Sequence, residues 1–156
     1  MDEVCRIVDL RNEARHLPAI AAWIHEQWWS GSKTSVEDIE AWLEIHLEDA
    51  LIPTTFVATS GAVPIGSVCL HETEAPDRPA YWPYLGALYV RPADRRRGTG
   101  AALVGAVEAH ASRHGYAAIY LNAADAMVGF YEARNWLVVE RRYGPKRLTI
   151  MRRQLG

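Results

Sequence analysis

The feature that most constrains this chain is the run Leu88-Tyr89-Val90-Arg91-Pro92-Ala93-Asp94-Arg95-Arg96-Arg97-Gly98-Thr99-Gly100-Ala101-Ala102-Leu103. The aromatic and apolar stretch 81–90 reads as a strand. Residues 98–114 read as a helix, with Leu103, Val104, Val107 and Ala111 on one side. A charged loop with glycines at 98 and 100 joins the two. The first turn of a helix exposes backbone N–H groups that lack partners within the helix and carry partial positive charge. Glycine lets that backbone approach a ligand without Cβ obstruction. Arg95, Arg96 and Arg97 add positive charge beside it. The segment suits a phosphate or pyrophosphate; the alternative is a plain glycine-rich turn with solvated arginines.

Known phosphate loops narrow the choice. A P-loop needs G-x-x-x-x-G-K-[ST], and nothing here supplies it. A dinucleotide fingerprint needs G-x-G-x-x-G, but the run from Gly98 places Leu103 where the last glycine belongs. The pattern that fits is R-x-x-G-x-G, formed by Arg95, Gly98 and Gly100. At this point the sequence resembles the GNAT N-acetyltransferase superfamily, in which R/Q-x-x-G-x-G/A follows a strand end of the form LYV-x-P and binds the pyrophosphate of acetyl-CoA. Downstream, Leu121-Asn122 and then Gly129-Phe130-Tyr131-Glu132-Ala133-Arg134-Asn135-Trp136 resemble the second motif of that family, a strand followed by FYxxxGF/W. Two departures stand out. Asn135 occupies the usual glycine position, and asparagine is the next most tolerant residue for a left-handed turn. Tyr84 and Gly86 lie on the central strand, where many members carry a glutamate that acts as base.

The resemblance implies an acetyl-CoA-dependent N-acetyltransferase. Its acceptor is a primary amine of a small molecule or peptide, which attacks the thioester directly through a tetrahedral intermediate. It maps a proton donor for the leaving thiolate onto Tyr131. Arg95, Arg96, Arg97, Gly98, Thr99, Gly100 and Ala101 are the expected diphosphate cradle. A bulge in the stretch Leu88, Tyr89 and Val90 would free backbone groups for the pantetheine, with the N–H of Leu88 or Val90 facing the acetyl oxygen. Asn122 and Phe130 are further expected cofactor contacts. The N-terminal helices and the 71–82 loop commonly border the acceptor in the family, which directs attention to Trp28, Trp29, Glu72 and Trp82. Aromatic faces suit a cation. No general base announces itself: Glu72 and His71 at the hairpin end and Glu26 in the Trp-rich helix are the residues to weigh. A non-catalytic CoA-binding sensor or interaction module on the same fold is the competing reading.

The rest of the chain fits one domain over 1–156, with acceptor-side helices and a hairpin in 1–80 and the acetyl-CoA-binding core in 81–156. Strands are expected near 6–10, 54–59, 63–71, 81–90, 116–121, 136–142 and 148–152. Helices are expected near 17–29, 35–50, 98–114 and 126–134. The order implies an α/β (α+β) layer architecture. The resemblance sharpens this to a GNAT-like fold, a central mixed, mostly antiparallel sheet of about six to seven strands with helices on both faces. Charge supports the division: residues 1–80 hold 5 Lys+Arg against 14 Asp+Glu, and residues 81–156 hold 12 against 5. Of the basic residues, 15 are arginine and 2 lysine, a bias that suits phosphate oxygens. The sequence pI of about 6.3 and the lack of a basic stretch interleaved with aromatics argue against nucleic acid.

Cys5 and Cys69 are the only cysteines and form no C-x-x-C pattern, so neither a disulfide framework nor a zinc site is expected. His110 and His114 share helical spacing but lack the glutamate of H-E-x-x-H, so no metal is expected. No apolar run suits a membrane span, and the N-terminal MDEVCRIVDL lacks the apolar core of a secretory signal. A cytoplasmic home is the expectation, with oligomeric state open and a homodimer allowed.

Overall fold

Alternating apolar positions set the two faces of the sheet. In β2 (Thr54–Ser60) and β3 (Val63–His71), Phe56, Ala58, Val68 and Leu70 point to one core, while Val57 and Cys69 point to the other. The first core is closed by Leu103, Val104, Val107 and Ala111 of α3 (Thr99–Arg113), with Tyr131 of α4 (Asp125–Glu132). The second is closed by Leu17, Ile20, Ala21 and Ile24 of α1 (Leu17–Ile24) and by Ile39 and Leu43 of α2 (Val36–Ile45). Helices therefore cover both faces. The computed structural model describes residues 5–156.

With β1 (Cys5–Asp9), β4 (Tyr84–Val90), β5 (Ala118–Ala123), β6 (Leu137–Tyr143) and β7 (Leu148–Gln154), the strands form one seven-stranded sheet in the order β1-β2-β3-β4-β5-β7-β6. Every neighbouring pair is antiparallel except β4 and β5. Among the described residues no helix is long and apolar enough to cross a membrane.

Two irregularities of β4 shape the molecule. Ser67 pairs with Tyr89 and Cys69 with Gly86, so one residue of β3 faces two of β4, a β-bulge at Ala87 and Leu88. Ala87 takes φ +52° there. On the other edge, β4 meets β5 at a single parallel register, Tyr84 with Tyr120, beyond which the strands diverge. A cleft opens where the ladder stops.

Three boundaries depart most from the sequence-based expectation. The first helix keeps α geometry only to Ile24 and continues as a π-helical turn, His25–Trp29. The second opens on the expected Ser35–Asp38 capping box, in which Asp38 N–H donates to Ser35 Oγ at 3.1 Å and Ser35 N–H to Asp38 Oδ2 at 2.9 Å. It ends at Ile45 because His46 turns its ring into the protein and bonds Thr55 Oγ1 at 2.7 Å. The central strand starts at Tyr84 instead of residue 81, since Pro83 has no N–H for a ladder.

Candidate active site

At one end of the cleft, α3 begins on a left-handed residue. Gly98 has φ +82°, a conformation that costs a side-chain-bearing residue energy, and Arg96 before it has φ +64°. No side chain caps this helix end. Its free N–H groups are thus left to a ligand or solvent. Arg95 donates from Nε to the Val90 carbonyl at 2.8 Å, and its guanidinium lies 5.7 Å from the Tyr89 ring centre. A cavity of about 1380 Å³ starts here, with Arg95, Arg96, Gly98, Thr99, Gly100 and Ala101 in its wall. Arg97 is exposed and does not line it.

The cavity continues between the diverging strands, past Leu88, Tyr89 and Val90 on one side and Asn122 and Phe130 on the other. Tyr131 lies at this middle section, 5% exposed, packed edge-on against Phe130 and Trp136. Burial pushes its phenol upward in pKa, and the charge of Glu74 adds to that. The hydroxyl therefore stays protonated at neutral pH and can donate. Its position is set by the end of α4. Asn135 takes φ +70°, its N–H donates to Glu132 O at 3.1 Å, and Trp136 N–H donates to Tyr131 O at 3.1 Å. Arg134 caps the same helix by donating to Phe130 O at 2.8 Å, its guanidinium 3.7 Å from the Phe130 ring centre.

The far end lies between α1 and α2. The π-helical turn presents Trp28 and Trp29 to the cavity. Glu72 and Trp82, the other two residues expected at the acceptor, do not line this cavity. Glu72 is exposed just beyond β3, and Trp82 is 52% exposed, edge-on to Tyr116. In their place stand Trp42, Asp38, His71 and Glu74. His71 Nε2 and Glu74 Oε2 are 2.7 Å apart. The one signal for Glu74 in the sequence is Gly86, since a strand glycine marks close approach of another group. A Cβ at 86 would fall inside the contact shell of Glu74 Oε2. Asn122 contributes from β5 by donating Nδ2 to Glu74 O at 3.1 Å.

The sequence matches the model of the acetyltransferase (GNAT) family over residues 17–136. The chain belongs to that family. The GNAT fold extends over its full length: the yncA structure from Salmonella typhimurium, solved with its cofactor acetyl-CoA, superposes with a TM-score of 0.74 at 19% identity, covering 100% of this chain and 95% of that one. An N-acetyltransferase from Staphylococcus aureus Mu50 gives 0.76 at 16% identity, covering 98% and 99%. An acetyltransferase from Streptococcus agalactiae 2603 gives 0.73 at 16% identity, covering 97% and 98%. No curated protein matches the sequence. Within this GNAT chain, Asn135 closes the turn after α4 in the left-handed conformation.

Proposed function

We propose that this GNAT protein moves the acetyl group of acetyl-CoA to a primary amine of a small molecule or peptide. The observation that carries this is continuity. One cavity joins the uncapped, arginine-flanked start of α3 to the buried Tyr131 and then to a wall of Trp28, Trp29 and Trp42 with the carboxylates of Asp38 and Glu74. An anion fits the first end and a cation the last, with a proton donor between them.

The residues fit acetyl-CoA. The N–H groups of Thr99, Gly100 and Ala101, with Arg95 and Arg96, would hold its diphosphate. The edge of β4 that β5 abandons leaves Leu88, Tyr89 and Val90 backbone groups for the pantetheine amides, and the Leu88 or Val90 N–H for the acetyl oxygen. Asn122 Oδ1 is buried, without a partner among the described residues, and belongs to a residue lining the same cavity. Buried acceptors of this kind call for a donor. Tyr131 then supplies the proton that the leaving thiolate needs. Cys5 and Cys69 are free thiols, which supports a reducing, cytoplasmic setting.

Thiol release from acetyl-CoA, followed across a panel of primary amines with mass detection of the acetylated product, tests the proposal. Amine-dependent release supports it. Acetyl-CoA binding without release for any amine would favour the sensor, which Tyr131 speaks against.

A further inference from the structure

We propose that Glu74, held in place by His71, is the carboxylate that takes the proton from the acceptor amine. The proposal rests on the acetyl-transfer reading above and supplies the base that it lacks. An alkylamine has a pKa of about 10, so it arrives protonated and cannot attack until a proton leaves.

Two carboxylates line the acceptor end. Asp38 is committed to the α2 capping box, where its bonds with Ser35 lower its pKa. Glu74 is held differently. With the His71 proton on Nε2, that ring donates to Oε2 at 2.7 Å and leaves Oε1 open. His71 is itself fixed edge-on against Trp42, ring centres 5.7 Å apart. The Glu74 carbonyl accepts from Asn122, and the next residue, Ala75, is fully buried with its N–H donating to Thr73 Oγ1 at 2.9 Å. The carboxylate thus sits on a loop yet is anchored from β3, β5 and within the loop itself.

Its location is specific. Gly86 stands in β4 immediately before the bulged Ala87, and a Cβ there would collide with Glu74 Oε2 and come within 2.9 Å of His71 Nε2. The missing side chain lets a carboxylate from outside the strand lie against the backbone that borders the cavity. The other titratable groups that sense its charge are Cys69 in β3, Tyr84 in β4 and Tyr131 in α4, all shifted upward mainly by burial. They stay protonated near neutral pH and do not compete with Glu74 for the amine's proton.

The balance closes. The ammonium gives one proton to Glu74, whose side chain is 35% exposed and passes it to water. The nitrogen lone pair forms the C–N bond, and the C–S electron pair leaves with sulfur. Tyr131 protonates the sulfur and regains its proton from the nitrogen, which sheds one after attack. The products are an amide, a thiol and one released proton.

Glu74→Gln keeps the size of the side chain and removes its basicity. In full-length protein, kcat/KM measured from pH 7 toward the amine's own pKa of about 10 should show a loss of about 100-fold or more at pH 7 that narrows as the free amine accumulates. Acetyl-CoA affinity by calorimetry should be unchanged, which also reports that the variant is folded. Gly86→Ala, with Glu74 intact, displaces the carboxylate by one methyl group and should reproduce the same pH-dependent loss; it decides the matter if Glu74→Gln fails to fold. A wild-type rate in these variants, or a loss equal at every pH, would overturn the assignment while leaving acetyl transfer standing. A wild-type protein that acetylates no amine would overturn both.

Discussion

Trp136 donates its backbone N–H to the carbonyl of Tyr131 at 3.1 Å while its indole N–H reaches Glu108 Oε2 on α3 at 3.0 Å. One buried residue therefore closes α4 and ties that end to α3. Trp136→Phe keeps an aromatic edge against Tyr131 and drops the indole bond. Glu108 retains Arg153 at 3.2 Å. The expected cost is about 1–2 kcal/mol of stability, read by urea denaturation, with acetyl-CoA affinity nearly intact.

Tyr131→Phe removes one hydroxyl from a packed site. Turnover should fall by about tenfold to 100-fold while acetyl-CoA affinity holds. Because burial raises the phenol pKa, the basic limb of the wild-type pH profile should not arise from Tyr131. A normal rate in the variant would show that the thiolate leaves without this donor.

The two glycines of the cradle should behave differently. Gly98 is left-handed at φ +82°, so Gly98→Ala costs about 1–2 kcal/mol through the backbone. A Cβ at Gly100 would meet Phe130 Cζ at 3.8 Å and Val90 Cγ2 at 3.9 Å, ordinary contacts, so Gly100→Ala should fold normally. Gly98→Asp or Gly100→Asp sets a carboxylate against an incoming diphosphate and should weaken acetyl-CoA by at least about tenfold, or 1.4 kcal/mol. Calorimetry separates the two effects; full affinity in the aspartate variants would move the diphosphate elsewhere.

What the sequence made legible is local. A strand, two glycines and a helix are contiguous, so the uncapped start of α3 could be read from spacing. The apolar spacing of the helices was legible in the same way, as at Ile39 and Leu43, which pack with Val57 and Cys69 of the sheet. The acceptor end depends on contacts between distant segments. The sequence directs attention to Glu72, but it is the approach of the loop to Gly86 and Asn122 that brings Glu74 to the cavity. Trp82 and Trp42 are likewise indistinguishable by composition, yet one packs on Tyr116 and the other on His71. The widened turn His25–Trp29 leaves no mark in the apolar pattern, because it changes hydrogen bonding without changing which residues are apolar.

His46 predicts how the fold responds to acid. It is fully buried, bonded through Nδ1 to Thr55 Oγ1 and edge-on to Trp42 with ring centres 4.4 Å apart. Burial, aided by the nearby His71, lowers its pKa from 6.5 to about 4. The unfolded chain therefore binds the proton more readily than the folded one. Stability from this group is complete above pH 6.5 and declines as the pH falls toward 4, by roughly 3 kcal/mol at most. His110, also lowered by burial, acts in the same direction. Urea midpoints measured at intervals across this range should fall steadily in the wild type. His46→Leu should start lower at neutral pH, having lost the Thr55 bond, but fall with a shallower slope. An unchanged slope would assign the acid sensitivity to other groups.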